Sequence, residues 1–185
     1  SADYQKRIID NDIISHHKIG DIIYDIEQYN KGERRGLTHH MRAALDYQLS
    51  ENDHLNMAYT SAITPNREAM EKSSGNFSES SNSKMGDEQM HNVNVDYTSS
   101  LGLNVGLDYT YYNYPSTQDY VDQTESSEQL FLADASQTIN RWNVYAGQTH
   151  TLPSDWVLNY GINFTFAKDK SSQIYRPQDG SDMSG

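Results

Sequence analysis

The chain has no cysteine, so a disulfide framework, a zinc finger and thiol catalysis are all excluded. Positive charge is scarce: 14 Lys and Arg stand against 26 Asp and Glu in 185 residues, a formal charge of -12. A protein that grips a phosphate backbone needs a basic stripe, so nucleic acid is not an expected partner. Apolar residues make up 35% of the chain. No run approaches the roughly eighteen that a transmembrane helix needs. The stretch Ser1 to Arg7 has no apolar core, so a secretory signal is not expected there. Phe is rare as well, with 4 residues against 14 Tyr. Tyr joins an apolar ring to a hydroxyl, which suits strands with one apolar face and wet ends.

What is present is alternation with period two, the mark of a strand with unlike faces. Leu101 to Tyr114 places Leu101, Leu103, Val105, Leu107, Tyr109 and Tyr111 on one face, opposite Gly102, Asn104, Gly106, Asp108 and Thr110. Trp156 to Ala167 repeats this with Trp156, Leu158, Tyr160, Ile162, Phe164 and Phe166 against Asn159, Gly161, Asn163 and Thr165. Weaker runs cover Leu37 to Leu49, Leu55 to Ile63, Met90 to Thr98 and Ile139 to His150. Ser50 to Asp53, Ser99-Ser100 and Leu152 to Asp155 are turn-length links between them. The pattern predicts an all-β protein, an antiparallel up-and-down meander of about six long strands.

The remaining connections read differently. Residues 64–89 and 115–138 are Ser-rich and acidic. Both far exceed the usual connection of about 4–6 residues, and they read as long loops. The Ser73 to Ser83 stretch offers little apolar surface and is expected to be the first site of limited proteolysis. Residues 1–36 show no sustained period and read as an irregular or loop segment before the first strand. Residues 168–185 read as a polar loop or tail. Tight turns thus gather at one end of the sheet and long connections at the other.

Eleven strand residues at about 3.3 Å each span roughly 36 Å, or roughly 26 Å when tilted by about 45°. That matches the apolar band of about 25 Å in outer-membrane barrels, and Tyr and Trp fall where interfacial girdles belong. Strand-turn-strand units such as Met41 to Leu49 followed by Ser50 to Leu55, and the strand Trp156 to Phe166, are similar to barrel segments of TonB-dependent receptors and related outer-membrane β-barrel proteins of Bacteroidetes type. The resemblance covers roughly residues 37 to 167. It implies residence in the bacterial outer membrane, import of a scarce nutrient, and lipid as a neighbour. It also implies a plug domain and TonB as partners. No plug domain, TonB box or closing strand with a terminal aromatic is recognisable in the chain. It is therefore expected to be a section of a longer receptor.

Other motifs carry little. His16-His17 and His39-His40 invite a metal reading, but neighbours on a strand point to opposite faces and cannot easily chelate together. Asp179 to Asp182 lacks the alternating ligands and closing Glu of a calcium loop. No nucleophile elbow or HExxH occurs, so no catalytic residue, metal site or cofactor is expected. Loops on a rigid scaffold often carry function. Tyr120 and Phe131, set among polar residues, are accordingly the ligand-contact candidates. A soluble up-and-down barrel or sandwich, binding a small apolar ligand inside, is the alternative reading of the same alternation.

Overall fold

The strand ladders of the computed structural model follow chain order with no crossover. Seven antiparallel strands form one sheet in the order β1-β2-β3-β4-β5-β6-β7. They are β1 (Ala2–Ile19), β2 (Ile22–Gln48), β3 (His54–Gly75), β4 (Ser78–Thr98), β5 (Leu103–Thr124), β6 (Glu128–Thr151) and β7 (Val157–Pro177). The structure describes residues 1–19, 22–76, 78–124, 127–153 and 156–177. Asp179 to Asp182 and the Ser154-Asp155 half of one turn lie outside the described residues. Among the described residues there is no helix. β1 pairs only with β2 and β7 only with β6, so the sheet is open.

The all-β meander stands as period two predicts, but the strands are far longer than the alternating runs. Residues 1–36, expected to be irregular, form β1 and the first half of β2, in register from Ala2↔His39 to Ile19↔Ile22. The expected loop 64–89 is the outer part of β3 and β4, paired as far as Ser74↔Glu79. The expected loop 115–138 is likewise the outer part of β5 and β6, paired as far as Gln123↔Glu128. The expected tail continues β7, in register with β6 through Phe131↔Pro177. The physical reason is shared. Hydrophobic alternation reports a sheet whose two faces differ, and it fades where both faces are mixed, while backbone pairing goes on regardless. Leu101, assigned to a strand by its parity, instead sits in the β4–β5 turn and is 77% exposed.

The register brings every predicted apolar face to one side. A single row runs Leu45↔Met57, Met57↔Val95, Val95↔Leu107, Leu107↔Val144 and Val144↔Phe164. The next runs Tyr47↔Leu55, Leu55↔Tyr97, Tyr97↔Val105, Val105↔Ala146 and Ala146↔Ile162. This face is uncovered: Leu45, Ile162 and Phe164 are 52%, 56% and 65% exposed. The one buried apolar residue among those described is Ala133. A single layer therefore stands without a hydrophobic core.

One irregularity divides the sheet into two zones. In β3 the register slips between Thr64 and Arg67, and β2 registers the same slip between Arg35 and His39. Pro65 lies at the slip and cannot donate a ladder hydrogen bond. Asn66 follows with φ 48°, a left-handed conformation that Asn tolerates better than most residues, and its N–H donates to Asp87 Oδ1 at 2.9 Å. An extra residue in one strand is a β-bulge, and it swaps the parity that faces each side. Opposite, Gly86 meets Pro115 so closely that a Cβ would lie 2.3 Å from its carbonyl oxygen.

The turns below the apolar rows are tightly tied. Leu49 N–H donates to the Asp53 carbonyl at 2.8 Å, and Ser99 N–H to the Leu103 carbonyl at 2.8 Å. Gly102 has φ 77°, which suits a residue without a side chain. Asp53 links two turns by accepting from Ser100 N–H at 2.6 Å and from the Ser50 hydroxyl at 2.7 Å. The Ser100 N–H, and then the Ser50 hydroxyl, hold its carboxyl below the ordinary value of 3.8.

Two outcomes follow from these features. Asn66→Gly should leave stability unchanged, whereas Asn66→Val should cost about 1–2 kcal/mol, read from the urea midpoint, because a β-branched residue resists the left-handed region. A depressed carboxyl contributes stability that is complete above its unfolded pKa and is lost as pH falls through its folded one. Exchange protection of the Ser100 amide should therefore hold across neutral pH and weaken only in acid below 3.8. Asp53→Asn should weaken that protection at pH 7.

Candidate functional site

The two sides of the inner zone are chemically opposite. On the apolar side, aromatic rings gather at its upper border. Tyr109 packs on Trp142 with ring centroids 4.1 Å apart, and its hydroxyl donates to Asn140 Oδ1 at 2.8 Å. His91 lies between Tyr59 and Tyr111, with centroids at 6.1 and 6.0 Å, and its Nδ1 shares a hydrogen bond with the Tyr59 hydroxyl at 2.8 Å. Tyr47, Tyr97, Tyr160 and Trp156 sit toward the turn end, Trp156 with 72% exposure. From Trp156 to Phe166 the chain advances about 33 Å, or about 23–27 Å along an axis tilted by about 35–45°.

The other side is a hydrogen-bonded polar surface. Asp108 accepts from Asn94 Nδ2 at 2.6 Å and from Asn143 Nδ2 at 3.3 Å, and Asn143 Oδ1 in turn accepts from the Thr165 hydroxyl at 3.0 Å. One such row crosses four strands. In the next row Gly106 has no side chain, and the Tyr145 ring lies flat over it; a Cβ there would meet the ring at 2.2 Å. The Tyr145 hydroxyl thereby reaches across β5 and donates to Asp96 on β4. Asn92 accepts from the Thr110 hydroxyl at 2.5 Å. Small, hydroxyl and amide side chains at even positions of β5, which read in the sequence only as a non-apolar face, are the material of this network.

In the outer zone the two ligand-contact candidates meet. Tyr120 and Phe131 are register partners, stacked with centroids 4.6 Å apart, although ten residues of sequence separate them. Tyr175 joins them edge-on, 6.1 Å from Phe131 with planes at 76°. Sequence reading missed Tyr175 because it stands in a polar stretch assigned to the tail; only pairing of β7 with β6 brings it in. By parity all three lie on the side that carries Asp108 and Gly106. Tyr120 also borders a cavity of about 390 Å³ with Ile9, Asn30, Gly32, Glu71 and Asn82. Asn82 Oδ1 is buried there without a hydrogen-bond partner. An aromatic edge beside amide and carboxylate groups suits a hydroxyl-rich ligand, which offers both C–H faces and O–H donors.

His39 and His40 do not converge. His39 faces the apolar side in register with Ile63, and His40 the other side in register with Ala62. His16 Nδ1 instead contacts Asp25 Oδ1 at 2.6 Å. Among the described residues no group of His, Asp and Glu could hold a metal ion. No family model matches the chain, and no curated protein sequence matches it.

Gly106 and Tyr145 form a pair that can be tested directly. Gly106→Val should displace the ring, break the Asp96 contact and destabilise the folded protein. In the Tyr145→Ser background the same change should be much milder. A double-mutant cycle in denaturant should give a coupling of about 1 kcal/mol or more.

Proposed function

We propose that this chain is a wall section of an outer-membrane β-barrel receptor or transporter for nutrient uptake. Its role would be structural and transport-related, without bond chemistry. The observation that carries the reading is the register, which aligns the apolar residues of six strands on one uncovered side and an Asn, Asp, Thr and Tyr network on the other. Soluble monomers seldom expose an apolar patch beyond a few hundred Å², so a side carrying exposed Leu45, Trp142, Ile162 and Phe164 needs an apolar environment. Lipid supplies one, and the band has the height of the apolar belt of barrels, edged by aromatics. Asp108 and Asp96 would then line a wet interior. The tight turns Ser50–Asp53 and Ser99–Gly102 would face the periplasm, and the outer zone of the strands would project outside the cell, as short turns and long excursions do in such barrels.

Seven strands fall below the roughly eight with which the smallest barrels close, and unpaired edges recruit further strands. The remaining wall, a plug domain and TonB are the partners that the resemblance of residues 37–167 adds to this proposal. A soluble barrel with a small apolar ligand would place Leu103, Val105 and Leu107 around a closed interior. The open sheet weighs against that alternative.

Val105→Arg and Ile162→Arg, both on the apolar side, should each cost folding free energy in bilayers, up to the roughly 2–4 kcal/mol of a charge at the midplane. Asn104→Arg and Asn163→Arg should be far milder. Assembly of the parent protein in outer-membrane fractions reads the difference, and equal tolerance on both sides would remove the proposal.

A further inference from the structure

We infer that a cavity on the polar side of β1–β3, just above the apolar band, binds the carboxylate or phosphate group of a small solute. The inference rests on the reading of that side as the barrel interior. Arg7, Arg34 and Arg67 border a cavity of about 220 Å³ together with Thr38, Thr64 and Glu88. Arg35 borders it too, but its guanidinium is turned to the other side of the sheet, where Glu68 engages it. Three of the seven arginines in a chain of charge -12 thus converge on one place.

Their arrangement disfavours an empty structural role. Arg7 and Arg34 are register partners, and like charges directly opposite each other on a sheet destabilise it. Glu71 contacts Arg34 at 3.4 Å and Glu88 pairs with Arg67, so on this side three guanidiniums meet two carboxylates. Among the described ion pairs none involves Arg7. An oxyanion between Arg7 and Arg34 would relieve their repulsion and take charge-assisted, forked hydrogen bonds from both. The Thr38 and Thr64 hydroxyls, 2.8 Å apart, stand beside it as further polar groups. Gly36 keeps the floor low, since a Cβ there would come within 2.8 Å of Thr64.

The bulge is part of the site. Without the extra residue at Pro65-Asn66, parity would turn Arg67 to the apolar side. With it, Arg67 joins Arg7 and Arg34, while Glu68 goes to the other side to meet Arg35. Bulges commonly re-aim a side chain next to a functional site. The cavity has room for an oxyanion group and its immediate substituent, below the range of whole drug-sized ligands.

Titration of inorganic phosphate into the detergent-solubilised full-length protein, followed by calorimetry and phosphorus NMR line width, tests the site. Phosphate should bind the unaltered protein, and Arg7→Gln or Arg34→Gln should weaken binding about ten-fold or more. Arg176→Gln, on β7 and paired with Asp134, should leave it unchanged. Each variant must keep the strand-rich circular dichroism of the parent. Absence of binding to the unaltered protein, or binding by Arg7→Gln and Arg34→Gln as strong as that of the unaltered protein, would overturn the inference. Vesicles of phosphatidylglycerol and of phosphatidylcholine separate the two sources of an oxyanion. Retention on the anionic vesicles that vanishes in Arg7→Gln would turn this side toward lipid and overturn both readings. Phosphate binding lost in the two variants, in a protein that does not fractionate with the outer membrane, would support the site and remove the barrel proposal alone.

Discussion

Backbone hydrogen bonding between neighbouring strands is the constraint on which this structure depends. With Ala133 the one buried apolar residue among those described, side-chain packing cannot be what fixes the sheet. The ladders fix it, and a ladder leaves each strand a binary choice of which parity faces which side. Six strands make that choice alike, so Leu45, Met57, Val95, Leu107, Val144 and Phe164 share a row although they come from all along the chain. A slip of one residue in the unfavourable direction would put Asn or Asp from any of these strands into the apolar row. Asp108, hydrogen-bonded by two asparagines on the other side, shows how costly that would be for β5.

Departures from regularity are local and each does something specific. Gly106 gives up a side chain so that Tyr145 can lie across β5 and tie β6 to β4. Pro65 and Asn66 interrupt the ladder and reverse parity in β3 alone, which separates Arg67 from Glu68 and directs them to opposite sides. Gly86 admits the Pro115 carbonyl where the neighbouring strands also lose regular pairing. Small or kinked residues thus sit where the backbone must be approached closely or where a side chain must change sides.

Above that level the two sides no longer differ sharply in polarity, yet the candidate ligand-contact groups still concentrate on one of them. Tyr120, Phe131 and Tyr175 cluster on the polar side of β5–β7, and Arg7, Arg34 and Arg67 on the polar side of β1–β3. The cavity beside Tyr120 and Asn82 lies between them. In a closed barrel these groups would line the approach to the interior, with aromatic contact at the outer end and positive charge nearer the band.

Alternation along the chain was enough to set the strand class, the inner strand segments and the composition of both sides, because period two is a local property that any single strand displays. It also marked the three turns at the inner end through their short links, and it singled out Tyr120 and Phe131. Only the tertiary structure decided how far the strands run. The outer halves of β3 to β6, all of β1 and the end of β7 carry no clean alternation, since neither side there is uniformly apolar, and their pairing is a matter of backbone contact between distant segments. The same holds for the sites. Tyr175 reaches Phe131 and Arg7 faces Arg34 through register, which single-strand periodicity does not encode. The side that Arg67 occupies hangs on one extra residue at Pro65-Asn66, and its effect becomes visible only when the strand is laid between its neighbours.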